Sequence, residues 1–247
     1  MSERIEPRTL YVVSTPIGNL DDVTRRAVHI LGGVALIAAE DTRTTRLLLS
    51  HLGLATPQIS YHSHNETRRI PELLERLRSG DAIALVTDAG TPGISDPAYR
   101  VIRAALDHGV RVVPIPGASA VLAALVTSGL PMDRFVFEGF LPLKKGRRGR
   151  LEDLAREPRT VVLYEAPHRI LRTLQDLQSV MGDRQIALCR ELTKKFEEVL
   201  RGPISTVMEH LGQTRPRGEM VIVLEGVGRR GRRPSTGNEL PAPEADQ

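Results

Sequence analysis

Cysteine and aromatic residues are scarce in this sequence of 247 residues, which has one cysteine, no tryptophan, four phenylalanines and four tyrosines. The single cysteine, Cys189, excludes a disulfide framework and favours a reducing compartment. So few aromatic residues disfavour a surface that stacks successive bases of a single strand. No apolar run approaches the roughly 20 residues of a membrane span, and residues 1–8 lack the apolar core of a signal peptide. We therefore expect a soluble, cytoplasmic protein without membrane contact.

A glycine-rich dinucleotide-binding loop is also missing. Residues 9–14 are rich in β-branched side chains and predict the first strand. The loop that follows, Thr15-Pro16-Ile17-Gly18-Asn19, contains one glycine, whereas the dinucleotide fingerprint contains three. This difference disfavours a nicotinamide or flavin site.

The net charge of +4 is modest, but the basic residues are unevenly placed. One group lies within seven residues and consists of Lys144, Lys145, Arg147, Arg148 and Arg150. A second group near the C-terminus consists of Arg229, Arg230, Arg232 and Arg233. Glycines separate these charges, which favours mobile arms that contact phosphates. The alternative is a solvated loop and a disordered tail without a partner.

Five strand–helix units follow one another in residues 1–131. Apolar strands are predicted at residues 9–14, 34–39, 58–62, 82–87 and 110–115, each followed by a helical pattern. This alternation is typical of a doubly wound parallel sheet. Residues 132–227 predict a smaller α/β domain with hairpin-like connections and a mixed sheet. Residues 228–247, rich in Arg, Pro and Gly, predict a disordered basic tail.

The most distinctive loop follows the fourth predicted strand, in residues 85–97 (LVTDAGTPGISDP). It carries Asp88, Thr91, Ser95 and Asp96 at the carboxyl edge of the sheet. Ligands of open α/β sheets bind at this edge. The alternative is a tight turn in which Asp88 or Asp96 caps the next helix.

Two other strand ends carry polar groups. Glu40 and Asp41 precede Arg43 and suit hydroxyl binding or orientation of a nucleophile, although a helix cap with a surface ion pair explains them equally well. His62 and His64 lie on one face of the third strand, as a metal site requires. No third ligand follows at a suitable spacing, so we predict a polar loop there and no metal site.

Seven short motifs occur in order along the chain: STPIGN (14–19), AEDTR (39–43), YHSHNE (61–66), DAGTPGISDP (88–97), PGASA (116–120), YEAPHR (164–169) and RELTKKFE (190–197). Together they resemble the small-subunit ribosomal RNA methyltransferase I family of the tetrapyrrole methylase-like superfamily. The resemblance covers residues 10–224. Each motif is weak alone, but seven in register are specific.

This resemblance implies two α/β domains with S-adenosylmethionine in the cleft between them. It implies 2'-O-methylation of a cytidine ribose in the decoding region of small-subunit (16S) ribosomal RNA, with the assembled subunit as substrate and a homodimer as the working form. Relatives that modify tetrapyrroles have a more glycine-rich first loop, so the resemblance gives its weakest support to a main-chain contact between Gly18 and the cofactor. Carried over by position, the implied cofactor-binding residues are Pro16, Gly18, Asp88, Gly90, Thr91, Ile94, Ser95, Ser119, Ala120, Tyr164, Glu165 and Leu192.

A ribose hydroxyl is a weak nucleophile while protonated, so a general base is expected. The sequence does not choose among the candidates, which are Asp41, Asp88, Glu165, Glu191 and Lys195. For RNA contact we predict the first basic group, Lys144 to Arg150. Two other functions stay open at this point, a small-molecule methyltransferase acting on a tetrapyrrole and a non-catalytic ribosome-binding factor.

Overall fold

The computed structural model describes residues 4–213 and 216–228. The first of its two sheets is entirely parallel, with the order β3-β2-β4-β1-β5. Its strands are apolar because helices cover both faces, α3 and α4 on one and α1 and α2 on the other. The elements are β1 (Thr9–Val13), α1 (Arg25–Gly33), β2 (Leu36–Ala39), α2 (Thr42–His51), β3 (Gln58–Ser60), α3 (Glu66–Arg78), β4 (Ile83–Val86), α4 (Ala98–Asp107) and β5 (Arg111–Ile115).

The second sheet is mixed, with the order β6-β7-β10-β8-β9. Only β6 and β7 are parallel neighbours, and the other pairs are antiparallel. Helices α6, α7 and α8 cover one face. The predicted α/β class and the mixed second sheet are thus confirmed. The elements are β6 (Phe135–Phe140), α6 (Arg147–Ala155), β7 (Thr160–Glu165), α7 (Ile170–Met181), β8 (Gln185–Arg190), β9 (Glu198–Pro203), α8 (Ile204–Gly212) and β10 (Met220–Leu224).

Helix α5 (Ala120–Ser128) covers the other face of the second sheet, although it follows β5 of the first. Val121 and Leu125 pack with Val162, Ala187 and Cys189 in one buried cluster. Cys189 is fully buried there, as a small core residue. The predicted domain boundary after residue 131 therefore falls beyond a helix that already belongs to the second core.

Polar side chains shape the chain just before the first and fourth helices. A short 3-10 turn (Leu20–Asp22) precedes α1, which starts after Thr24, whose Oγ1 accepts a hydrogen bond from the Ala27 amide at 3.1 Å. Asp96 accepts hydrogen bonds from the amides of Gly93 and Ala98 at 2.8 and 2.9 Å. The N-cap of α4 is Pro97, so the Asp96 carboxylate holds the turn that precedes the helix and is not its cap.

The C-terminal basic group and the predicted disorder of the tail lie outside the described residues, except for Gly228. Within residues 4–213 and 216–228, no helix has both the length and the apolar character needed to cross a membrane.

Candidate active site between the two sheets

Hydrogen bonds join the loops after β1 and β4 at the carboxyl edge of the first sheet. Thr15 and Gly90 exchange two backbone hydrogen bonds of 2.9 and 3.0 Å as an isolated antiparallel bridge. The hydroxyls of Ser14 and Thr91 lie 2.9 Å apart. Gly90 has a φ of 79°, a conformation that favours glycine. Two motifs separated by about 75 residues of sequence therefore form one surface.

The loop after β2 joins this surface through carboxylates. Glu40 Oε2 accepts hydrogen bonds from Thr87 Oγ1 at 2.5 Å and from the Asp88 amide at 3.3 Å. Asp88 Oδ1 in turn accepts a hydrogen bond from the Asp41 amide at 3.1 Å. The ends of β2 and β4 are thus held together by one hydrogen bond between side chains and two from backbone amides to carboxylates.

A cavity of about 420 Å³ opens between this edge and the second sheet. Its volume is in the range of small-molecule sites. Pro16 and Gly18 do not line it, and from their loop Ile17 does. The structure brings the other ten predicted cofactor residues together in its wall, namely Asp88, Gly90, Thr91, Ile94, Ser95, Ser119, Ala120, Tyr164, Glu165 and Leu192.

The cavity wall is strongly acidic. Among the described residues it contains no lysine, arginine or histidine, whereas five carboxyl groups contribute to it: Glu40, Asp88, Asp96, Glu165 and Glu219. Burial and the nearby charge of Glu40 raise the pKa of Asp88 above its ordinary value. Burial also raises the pKa of Asp96, and it raises the pKa of Tyr164 to about 12. Arg169 and Lys194, which lie outside the wall, offset the charges of Glu165 and Glu219. The carboxylates of Glu40, Asp88 and Asp96 have no such ion pair among the described residues, so the wall favours cations over anions.

Gly18 contacts the second domain and not the cavity. A Cβ atom at this position would lie 2.4 Å from Lys194 Cγ and 3.0 Å from Thr193 Oγ1. The turn that it meets is itself strained, because Glu191 and Thr193 have φ values of 50° and 67°. The single glycine of the first loop therefore permits close approach of the two domains.

Four of the five candidate bases are engaged elsewhere. Glu165 is buried, accepts hydrogen bonds from Thr173 Oγ1 at 2.5 Å and from the Ala166 amide at 2.8 Å, and pairs with Arg169 at 3.2 Å. Its carboxylate is held by the second domain even though it lies in the cavity wall.

Asp41, Glu191 and Lys195 do not line the cavity. Paired hydrogen bonds from the Arg43 guanidinium lower the pKa of Asp41 to about 2. Glu191 binds Lys194 at 3.0 Å and the Glu219 amide at 3.0 Å. The Lys195 ammonium lies 5.6 Å from the ring centre of Phe196.

Asp88 is the candidate that lines the cavity and keeps one carboxylate oxygen without a hydrogen bond from any described residue. Only its Oδ1 accepts a hydrogen bond from the residues that the structure describes. As for the histidine pair, His62 Nε2 lies 3.1 Å from Asn65 Nδ2. Within residues 4–213 and 216–228, no three His, Cys, Asp or Glu side chains are grouped to hold a metal ion.

Arg147 corrects the prediction for the first basic group. Its guanidinium is buried and donates to Asp176 Oδ2 at 2.8 Å, to Thr173 Oγ1 at 2.8 Å and to the Pro142 carbonyl at 3.1 Å. Three hydrogen bonds within its own domain leave it unavailable to RNA. The segment is therefore not a mobile arm but an anchored loop that enters α6.

The other four basic residues of this group reach the surface. Arg148 pairs with Glu152 at 2.9 Å, and Arg150 forms a paired ion bridge with Glu138. Lys144 and Lys145 are exposed and have no ion pair with any described residue. The two lysines are thus the free charges of the predicted RNA-binding group.

Phe140 is a cavity residue that sequence reasoning missed. It lines the cavity mouth and is 53% exposed. The only sequence signal was Gly139, because a glycine inside a predicted strand suggests a bulge.

This architecture matches a known family of methyltransferases. The family described as tetrapyrrole (corrin/porphyrin) methylases matches residues 9–208. Uroporphyrin-III C-methyltransferase from Thermus thermophilus, solved with S-adenosyl homocysteine, superimposes with a TM-score of 0.63 and 20% identity over 88% of this chain and 97% of its own. Diphthine synthase superimposes with a TM-score of 0.68 and 14% identity over 88% of this chain and 89% of its own. These two structures show the shared fold.

Closer similarity is found among curated sequences. Ribosomal RNA small subunit methyltransferase I of Synechocystis sp. is 53% identical over 219 residues, 88% of this chain and 78% of that protein. The protein of the same name from Xylella fastidiosa is 51% identical over 224 residues, 89% of this chain and 82% of its own length.

The fold and the cleft thus define a methyltransferase of the tetrapyrrole methylase class, with S-adenosyl-L-methionine as cofactor. Within this class, the chain belongs to the ribosomal RNA small subunit methyltransferase I family. The cavity fits this cofactor. Its carboxylates complement the sulfonium and ammonium charges, and its apolar wall, which includes Ile17, Ile94, Leu192 and Met220, suits the adenine ring.

Proposed function

We propose that this protein methylates the 2'-hydroxyl of a cytidine ribose in the decoding region of 16S ribosomal RNA. The observation that carries the proposal is the wall of one acidic cavity, to which six of the seven motifs contribute residues from both domains. The names and high identity of the curated relatives support ribosomal RNA as the substrate. We further propose that the substrate is the assembled small subunit in the cytoplasm and that the enzyme acts as a homodimer.

The cofactor is proposed to lie against the ten predicted residues that line the cavity, from Asp88 to Leu192. When bound, S-adenosylmethionine supplies an electrophilic methyl group on a sulfonium centre. Gly90 leaves space beside Ile17, because a Cβ there would already touch the Ile17 side chain at 3.4 Å. Ser119, the N-cap of α5, and Tyr164 of β7 bring polar groups from the opposite wall.

Asp88 is proposed as the general base. Its free carboxylate oxygen accepts the proton of the 2'-hydroxyl as that oxygen gains its methyl group. The raised pKa makes Asp88 a better proton acceptor than an ordinary aspartate, and Asp41, with a pKa of about 2, a poorer one. The ribose oxygen must also be held in line with the methyl group, and such positioning accounts for about 7–11 kcal/mol of a barrier.

RNA phosphates are proposed to bind outside the cavity. An acidic wall repels them, whereas Lys144 and Lys145 are exposed four and five residues after Phe140 at the cavity mouth. The same acidic wall disfavours the tetrapyrrole alternative, because tetrapyrrole precursors carry many carboxylates. The family's cofactor disfavours a non-catalytic binding factor.

The test is transfer of labelled methyl from S-adenosylmethionine to three substrates: naked 16S RNA, assembled unmethylated small subunits and a tetrapyrrole precursor. We expect label on the assembled subunit and resistance to alkaline cleavage at the modified nucleotide. Label on the tetrapyrrole alone would refute the RNA proposal. Label on RNA that stays sensitive to alkali would place the methyl group on a base and refute the ribose proposal.

A further inference from the structure

We propose that Phe140 stacks on the base of the target nucleotide, so that the enzyme receives that nucleotide unstacked from its neighbours. This inference deepens the proposed function and rests on RNA being the substrate. Because the acidic cavity wall repels phosphates, we infer that the nucleotide is recognised there through its base, by an aromatic side chain.

A β-bulge places Phe140 at the cavity. In the pairing of β6 with β7, Phe137 is opposite Val162 and Phe140 is opposite Tyr164, with a register shift between Phe137 and Gly139. Residues opposite Val162 and Tyr164 share one face of the sheet because strand side chains alternate. The bulge thus brings Phe137 and Phe140, three residues apart, to the same face. Without it, Phe140 would point to the opposite face.

Gly139 makes this bulge possible. Its φ is 72°, and a Cβ there would lie 3.4 Å from Ser95 Oγ, which belongs to the cofactor loop of the first domain. The bulge is therefore located where the two domains meet.

The ring is held in a fixed orientation but stays accessible. Phe140 contacts Tyr164 edge to face, with 5.6 Å between ring centres and 62° between ring planes, and Tyr164 contacts Phe137 in the same way at 5.0 Å. More than half of the Phe140 side chain is nevertheless exposed. A preorganised, exposed aromatic ring loses little entropy when a base stacks on it.

The chain just after Phe140 is anchored by two arginines. Arg169 Nη2 donates to the Leu141 carbonyl at 2.8 Å, and Arg147 Nη1 donates to the Pro142 carbonyl at 3.1 Å. Leu141 is buried beneath them. The backbone between Phe140 and the two lysines is therefore held in place by these hydrogen bonds.

The base and the phosphate of a nucleotide would meet different charges at this surface. The neutral base is tolerated beside the acidic wall, while the phosphate is attracted outward to Lys144 and Lys145. Unstacked bases of single-stranded RNA are commonly held on aromatic side chains. An unpaired nucleotide of the RNA is the occupant that fits both halves of this surface.

The experiment compares wild type with Phe140→Ala, Phe140→Leu and Phe140→Trp on assembled unmethylated small subunits. Base stacking on an aromatic residue is worth about 1–3 kcal/mol, so Phe140→Ala should raise KM about 5- to 150-fold. Cofactor affinity, measured by calorimetry, should stay unchanged. Phe140→Trp should keep the wild-type KM, and Phe140→Leu should behave like Phe140→Ala.

Phe196→Ala is the matched control, because Phe196 is 68% exposed but does not line the cavity. It should leave KM unchanged. A fluorescent cytosine analogue at the target position of reconstituted small subunits should be quenched by wild type and not by Phe140→Ala, a signal that a structural role would not affect. Melting temperatures check that each variant is folded.

Three outcomes overturn the stacking proposal: a wild-type KM for Phe140→Ala, full rescue by leucine, or an equal loss of cofactor affinity, which would mean that the ring contacts the cofactor. Failure of the wild-type enzyme to methylate RNA at all would instead refute the proposed function. The two failures are distinguished because one is seen only in the variants.

Discussion

Gly18 and Lys194, on different domains, are packed so closely that the smallest side chain at residue 18 would penetrate the lysine, with 2.4 Å between its Cβ and Lys194 Cγ. Lys194 cannot move away freely, since its ammonium binds Glu191 at 3.0 Å and Glu219 at 2.8 Å. Glu219 lines the cavity. The contact between Gly18 and Lys194 lies outside the cavity, but the ion pair of Lys194 with Glu219 links it to the acidic wall.

Gly18→Ala is expected to destabilise the protein by about 1–3 kcal/mol, because overpacking forces neighbours to shift. Urea unfolding measures this loss. The double variant Gly18→Ala/Lys194→Ala removes the clashing Cγ, so the two changes should cost less together than their sum. Strictly additive costs would show that the clash is relieved in another way.

Arg147 and Arg148 are adjacent but should behave differently when replaced. Arg147→Met breaks a buried ion pair with Asp176 and should cost about 3 kcal/mol of unfolding free energy, near the lower end for such pairs because Asp176 is partly exposed. Arg148→Ala removes an exposed pair with Glu152 and should change stability by less than about 0.5 kcal/mol. If Arg147→Met instead weakens RNA binding at unchanged stability, Arg147 is an RNA contact after all.

Asp88→Asn should lower kcat about a hundred- to ten-thousand-fold, a larger effect than its loss of one cofactor-facing charge has on cofactor affinity. In wild type, kcat should fall as the pH drops through the raised pKa of Asp88, above the ordinary value of 3.8, because only the carboxylate accepts a proton. Glu40→Gln removes a nearby negative charge and should shift this acidic limb to lower pH. An unshifted limb would assign the titration to another group.

The same raised pKa affects stability with a definite sign. The folded protein binds the Asp88 proton more tightly than the unfolded chain does, so the stability present below pH 3.8 is lost as the pH rises through the folded pKa. Asp88→Asn should therefore raise the free energy of unfolding at neutral pH, as measured in urea. A loss of stability in this variant would mean that the carboxylate is mainly a structural acceptor for Asp41.

Lys144→Ala/Lys145→Ala should weaken RNA binding and reduce its salt dependence. Each phosphate contact contributes about 0.7–0.9 to the slope of log affinity against log salt, so the slope should fall by about 1.4–1.8. The matched control is Arg103→Ala/Arg156→Ala, which removes two exposed arginines already paired with Asp107 and Asp153. Equal slopes for the two double variants would refute a specific role for the lysines.

The first sheet could be predicted from the sequence because its central strands β1, β2 and β4 are buried on both faces and form continuous apolar runs, as in residues 82–87. Local signals also located the polar loops at one edge, since all parallel strands end on the same side. The sheet against which α5 packs could not be predicted in this way. Its sequence is apolar almost throughout, so only tertiary packing decides which sheet it covers.

The acidic side of the site was predictable from Glu40, Asp88 and Asp96, which lie in the loops that follow β2 and β4. The roles of Arg147 and Gly18 were not, because each is decided by a partner distant in sequence, and the direction of Phe140 depends on how β6 pairs with β7. Asp176 lies 29 residues from Arg147, Lys194 is on the other domain from Gly18, and the bulge at Gly139 reverses the direction of Phe140. Charge runs and alternation patterns describe neighbours in sequence, and these contacts are not between such neighbours.

The position of α5 has a consequence for how this protein can be divided or recombined. A chain cut after residue 131 would leave the first half with the apolar residues Val121 and Leu125 exposed, and the second half with Val162, Ala187 and Cys189 uncovered. Neither half would have a complete hydrophobic core, and a chimera joined there would pack α5 of one protein against the second sheet of another. A viable exchange of domains between relatives has its natural joint before Gly117, so that α5 is inherited together with the sheet that it covers.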